Sequence, residues 1–311
     1  MGKKLLYFVL TLVAVLVIFG IVAAIVESTI SPDFRMGASV LPRFIVVAIG
    51  LVLVFIAYYF TRENAMWAVG TRQVVYMAIG AALYAIFSYL FNGTVFVVPS
   101  VSQVALRPAI CIPMFFGYAF GPVVGFFTGA VGNMFGDALT GFGLSPQWSL
   151  GNGLVGLIAG FAFLFTDKRK SLNTVLLVGS VLAVLASAIY LINPTIENKL
   201  FFAPDQGIFG DAPIALFAGI SAIIGLLMVV IVRFAFGENL DVAAAVTWSM
   251  LGNLIGIGLA AISDIWINGY SPVVAVVGEF LPSAGPNLIF AAILVPILVG
   301  AYAALQRQTG R

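Results

Sequence analysis

Asn133 and Asp137 stand four residues apart in the stretch GAVGNMFGDALTGF, residues 129–142, of a chain that is otherwise strongly apolar. On a helix that spacing puts an amide and a carboxylate on one face. A carboxylate turned toward lipid costs at least about 2.5 kcal/mol, so the face must look into protein or water. Other polar groups recur near the ends of apolar runs: Trp148 with Asn152, Asn253 with Asp264, and Arg107, Glu279 and Asn287 singly. Side chains of these types hold a small polar solute by hydrogen bonds, charge and ring stacking. They do not form a catalytic set. The chain has no histidine and one cysteine, Cys111, which removes the usual zinc and haem ligands and the commonest general base. Neither an enzyme nor a cofactor is expected.

The elements that must position these groups follow from composition. Of 311 residues, 62% are hydrophobic and 8% charged, with a mean hydropathy of +1.15. Soluble domains carry about 25% charged residues, so the fold class is an all-α polytopic membrane protein with the lipid bilayer as its solvent. The net charge is +2 and the basic residues are dispersed, which argues against a nucleic-acid partner. Apolar runs of spanning length lie at 5–26, 42–60, 73–91, 122–140, 147–166, 172–192, 213–235, 242–262 and 286–305. The first is read as a retained helix, since no clear small-residue cleavage site follows it. A shorter run, 105–119, holds Arg107, Pro108 and Pro113 and is expected to be a broken or re-entrant helix.

Ten segments place both termini on one side. Setting that side in the cytoplasm gives it ten of the fourteen basic residues, as the positive-inside rule prefers. Asp137, Trp148, Asn152, Arg107, Asp264, Glu279 and Asn287 then gather toward the outer leaflet, where Arg107 is placed to pair with Asp137. The loop from Asn92 to Val104 is apolar enough to cover such a pocket, with Phe96 as a second stacking ring beside Trp148. Three acidic residues against one arginine lean the ligand toward a neutral or cationic compound. Gly121, Gly125, Gly129, Gly132 and Gly136 draw a smooth stripe along the 122–140 helix, a pattern suited to close helix packing. An echo between WSLGNGLVG at 148–156 and WSMLGNLIG at 248–256 is open between chance and a duplicated half. The chain has no G-x-x-x-x-G-K-[ST] phosphate loop, so an ATP-hydrolysing module must be a separate chain.

The run from Thr71 to Phe165 resembles the substrate-binding S component of energy-coupling factor (ECF) vitamin transporters. The likeness is carried by TRQVVYMAIGAALYAIFSYLF, by LRPAICIPMFFGYAFGPVVGFFTGAVGNMFGDALTG and by PQWSLGNGLVGLIAGF. SMLGNLIGIGLAAISD and LPSAGPNLIFAAILVPIL look like the family's fifth and sixth helices. The resemblance implies a six-helix core that captures a vitamin or related micronutrient from outside and works with a membrane coupling protein and two ATPases. It also implies that a small-residue stripe, here Ala78 with Ala82 and Ala81 with Ala85, meets the coupling protein, although such a stripe equally serves packing within the bundle. On this division residues 1–70 form a two-helix extension and 71–311 the S-component-like domain, with core helices in 73–166 and 242–306 and an inserted hairpin at 172–235. The alternative function is a self-sufficient secondary transporter of a small polar solute.

Overall fold

The computed structural model describes residues 2–91, 97–102, 104–141, 143–198, 212–237 and 239–309. Helices α1 (Gly2–Thr29) and α2 (Val40–Thr61) come first, followed by α3 (Thr71–Phe91). A small antiparallel pair, β1 (Val97–Val98) and β2 (Val104–Ala105), precedes a 3-10 turn at Pro108–Ile110 and α4 (Cys111–Phe120). Then come α5 (Pro122–Thr140), α6 (Pro146–Ala159), α7 (Lys168–Ile192), α8 (Leu216–Ala235) and α9 (Leu240–Ile267). The chain closes with α10 (Pro272–Val274), a π-helical turn at Ala275–Phe280 and α11 (Leu281–Gln308).

Among the described residues, seven helical stretches are long and apolar enough to cross a membrane. Large hydrophobic side chains stand exposed along their outer faces, for example Leu16, Ile56, Ile86 and Leu185. Such a surface needs lipid around it, and the protein is a multi-pass membrane protein. The short segment after Arg107 holds only ten residues of α-helix, and it ends where Gly121 adopts φ +105°, a conformation open to glycine, before Pro122 begins α5. One boundary differs from the sequence reading. The last helix starts before residue 286, at Leu281, so Pro286 and Asn287 lie inside α11. Asn253 of α9 donates to the Ala284 carbonyl at 2.8 Å in the same turn, which fastens α11 to α9 there.

Helix α5 is the hub, and its glycines explain why. A Cβ on Gly125 or Gly129 would collide with the carbonyl oxygens of Gly156 and Asn152 on α6, whereas one on Gly132 or Gly136 would press on Ala81, Tyr84 and Ser88 of α3. The stripe therefore serves two neighbours at different heights. The two echoing segments also meet: a Cβ on Gly151 of α6 would come within 2.6 Å of the Gly256 carbonyl oxygen on α9, and Gly252 faces the Val155 carbonyl at the same distance. Backbone-to-backbone contact of this kind replaces the hydrophobic drive that lipid does not provide. Helix α2 is anchored in the same way, because Gly50 leaves the space that Leu150 of α6 fills.

Gly129→Ala should destabilise the fold by about 1–3 kcal/mol, because backbone and not a flexible side chain blocks the new methyl. Gly20→Ala on α1, where nothing lies within 4 Å, is the control and should not lower stability, raising it by at most about 1 kcal/mol through helix propensity. Melting temperatures of the two variants in detergent check this pair.

Candidate ligand-binding site

A cavity of about 510 Å³ opens at the end of the bundle where α1, α3, α5 and α9 finish and α2, α4, α6 and α11 begin. Its wall is a chain of hydrogen-bonded polar side chains from six of those helices and the connections between them. Arg107, just before α4, donates through Nη1 to Asn133 Oδ1 at 2.6 Å and through Nη2 to Asp137 Oδ1 at 3.0 Å. Asn133 in turn donates to Asp137 Oδ2 at 2.9 Å and to Ser149 Oγ on α6 at 3.0 Å. The expected pairing of Arg107 with Asp137 is present as an ion pair, with side chains 18% and 11% exposed.

The α6 side of the wall continues the network. Tyr84 of α3 donates to Asn152 Oδ1 at 2.7 Å, and the Asn152 amide donates to the Trp148 carbonyl at 2.9 Å. The Trp148 indole N–H donates to Asp264 Oδ2 at 2.7 Å, and Gln147 donates to Asp264 Oδ1 at 3.0 Å. Asp264 thus reaches α6 from the end of α9, held by two neutral donors. Tyr270, in the connection to α10, lines the cavity and donates to the Val101 carbonyl at 3.1 Å. Burial, with Glu279 and Asp264 close by, pushes its phenol well above the ordinary value, so it remains a neutral donor near pH 7.

Of the nine positions proposed from sequence, Arg107, Asn133, Asp137, Trp148, Asn152, Asp264 and Asn287 line this one cavity. Two do not. Asn253 is fully buried between α9 and α11, where it accepts from the Asn287 amide at 3.0 Å and so orients a lining residue from behind. Glu279 is fully buried in the π-helical turn beside Asp264 and Ser102, behind the cavity wall. Phe96 lies outside the described residues, although Ser102, Val104 and Ala105 from the following stretch line the cavity. The four alanines divide: Ala81 and Ala85 are buried in the contact with α5, and Ala78 and Ala82 are exposed.

Sequence reasoning missed the lining residues Tyr84, Phe34–Met36 and, above all, Arg43, and it missed Gln147, which bonds Arg43 and Asp264 from behind. A signal for Arg43 exists. It continues the stripe Val47, Gly50, Val54 and Tyr58, which is the buried face of α2. A charged residue on the inward face of an apolar helix is a functional candidate in its own right. With Arg35 and Arg43 beside Arg107, the cavity no longer carries the acidic excess that led to a neutral or cationic ligand.

Residues 68–232 match the family described as the ECF-type riboflavin transporter, S component. The chain belongs to this family. It is similar to UPF0397 proteins of Vibrio atlanticus, 38% identical over 98 residues, and of Photobacterium profundum, 41% identical over 102 residues. Those matches cover 32% and 33% of this chain, and the chain spans about half the length of each of these relatives, 52% and 54%. A UPF0397 protein of Streptococcus pneumoniae serotype 19F is 27% identical over 166 residues, 50% of this chain and 87% of that protein. No solved structure matches the chain. The S component family is a transporter family and not an enzyme family. Its match begins after α2 and ends within α8, so Arg43, Asp264 and Asn287 come from outside the matched stretch.

Asp137→Ala should remove about 3–5 kcal/mol of stability, because it leaves the Arg107 guanidinium in the wall without its carboxylate. Replacing both together, Arg107→Met with Asp137→Leu, should recover much of that loss. Thermal unfolding of the single and double variants measures the difference.

Proposed function

We propose that this S component is the membrane-embedded substrate-binding subunit of an ECF-type ABC importer, capturing a vitamin or related small micronutrient from the extracellular side. It acts with a membrane coupling protein and two ATPase subunits. One observation carries the reading: seven polar or charged side chains, from the segment before α4 and from α5, α6, α9 and α11, converge on a single cavity at one end of the bundle. A volume of about 510 Å³ falls in the range of small-molecule sites, about 300–1,000 Å³.

In this reading the chain crosses ten times, with α4, α5 and α6 as the shorter inner members and both termini in the cytoplasm. The cavity then faces outward. The opposite end carries the Lys168–Asp241 ion pair and the run Lys168, Arg169, Lys170, which suits the cytoplasmic side. The six-helix core is α3 to α6 with α9 and α11. The family match runs through α7 and most of α8, so treating that hairpin as an insertion rests on geometry: the residues lining the cavity include none from either helix. Residues 1–70 are the extension that precedes the core. Of the small-residue stripe, Ala78 and Ala82 are the pair left free to meet a coupling protein, since α5 occupies Ala81 and Ala85.

Calorimetric titration of the purified chain with a vitamin panel, headed by riboflavin because the family description names it, tests the proposal. Binding of one member is expected, and Asn152→Leu, which replaces an amide in the wall with an apolar side chain, should weaken it roughly tenfold or more. A folded protein that binds none of the panel would contradict the reading.

A further inference from the structure

We infer that Arg43 is the specificity-determining group of this cavity and that it recognises acceptor oxygens, a carboxylate or paired carbonyls, on the ligand. This rests on the importer reading above.

The argument begins with how Arg43 is held. Its Nε donates to Ser39 Oγ at 2.9 Å, and its Nη1 donates to Ser145 Oγ at 3.2 Å and to Gln147 Oε1 at 3.1 Å. Every one of these partners is neutral. Among the described residues Arg43 makes no ion pair, and its Nη2 donates to no side chain or carbonyl. Arg107 differs in that Asp137 neutralises it directly. The nearest carboxylate to share a partner with Arg43 is Asp264, and Gln147 stands between them: its carbonyl oxygen accepts from Arg43 and its amide donates to Asp264. The cavity is thus lined by a guanidinium fixed in orientation, with an edge of donors unused and its charge only distantly balanced among the described residues. A planar fork of N–H donors matches two acceptor oxygens in a way that a point charge does not.

The position of Arg43 adds a second consideration. Helix α2 lies before the stretch that matches the family, yet Gly50 and Leu150 lock it against α6, and the Phe34 carbonyl packs against Gly143 at the rim. The two-helix extension is therefore part of the site. Ligand selection in this chain is set in part by a residue that the family likeness does not cover.

The test titrates wild-type, Arg43→Gln and Arg43→Lys proteins with pantothenate, nicotinate, riboflavin and thiamin. The first three present acceptor oxygens to a guanidinium, and the last is a cation. Binding of at least one of the three is expected, weakened roughly tenfold or more in Arg43→Gln and partly kept in Arg43→Lys, a loss larger than any accompanying fall in melting temperature accounts for. Equal affinity in wild type and Arg43→Gln would overturn this inference and leave the importer reading standing. So would binding of thiamin alone, or an affinity loss that merely follows a fall in melting temperature. Failure of folded wild-type protein to bind any of the four would overturn the inference together with the reading beneath it.

Discussion

A polar side chain inside a bilayer has no water to fall back on, so its partner must come from the protein itself. That constraint shapes the whole cavity end of this bundle. Asp137 finds Arg107 and Asn133, Asp264 finds Trp148 and Gln147, and Asn152 finds Tyr84. Apart from Asn133 with Asp137, four residues apart on α5, these pairs join groups that the sequence sets far apart, up to 117 residues for Gln147 with Asp264. Satisfying them fixes the relative heights of α3, α5, α6 and α9, which are the heights at which the cavity forms. The glycine contacts lower down make this possible, because only bare backbones let the helices approach closely enough for the short side chains Asn, Asp and Ser to meet.

The division of labour along α5 shows the link between packing and site. Gly125 and Gly129 fasten the helix to α6, and Gly132 and Gly136 fasten it to α3. Asn133 and Asp137 each follow one of the second pair, so they emerge about 100° around the helix, at the seam between the two neighbours. A residue at that seam faces neither lipid nor a flat interface. It faces the gap that Arg107 enters from the start of α4. The same residues that close the bundle therefore aim the polar pair into the cavity.

This logic also explains what could be read from the chain alone. Asn133, Asp137, Arg107, Trp148, Asn152, Asp264 and Asn287 were legible because each is a polar exception within an apolar run, at a spacing or a height that places it with the others. Asn253 and Glu279 have the same signature, and they sit behind the wall. Sequence gives the height of a residue along a helix far better than its direction around it, and α9 and α11 meet closely enough to enclose Asn253 between them. Tyr84 and Gln147 carried no signal, since a tyrosine within an apolar helix reads as core and an amide at a helix start is ordinary at a membrane interface. The small-residue face of α3 was ambiguous for a physical reason: alanine suits contact with α5 and with another protein equally, and the fold assigns Ala81 and Ala85 to the first.

Arg43 is the instructive omission, because the rule that would have found it was already in use for α5. The stripe Val47, Gly50, Val54 and Tyr58 marks the inward face of α2, and Arg43 extends it by one more turn toward the cavity. An arginine placed there has to leave the hydrocarbon through the protein, since lipid lies on the other face. Its long stem carries the guanidinium past the end of the α2–α6 contact and into the polar ring, where Ser39, Ser145 and Gln147 receive it. Helix α2 is thereby tied to the site by packing at Gly50 and by hydrogen bonds at Arg43. A helix held at both points cannot be shifted without moving one wall of the cavity, although it lies outside the family's matched stretch.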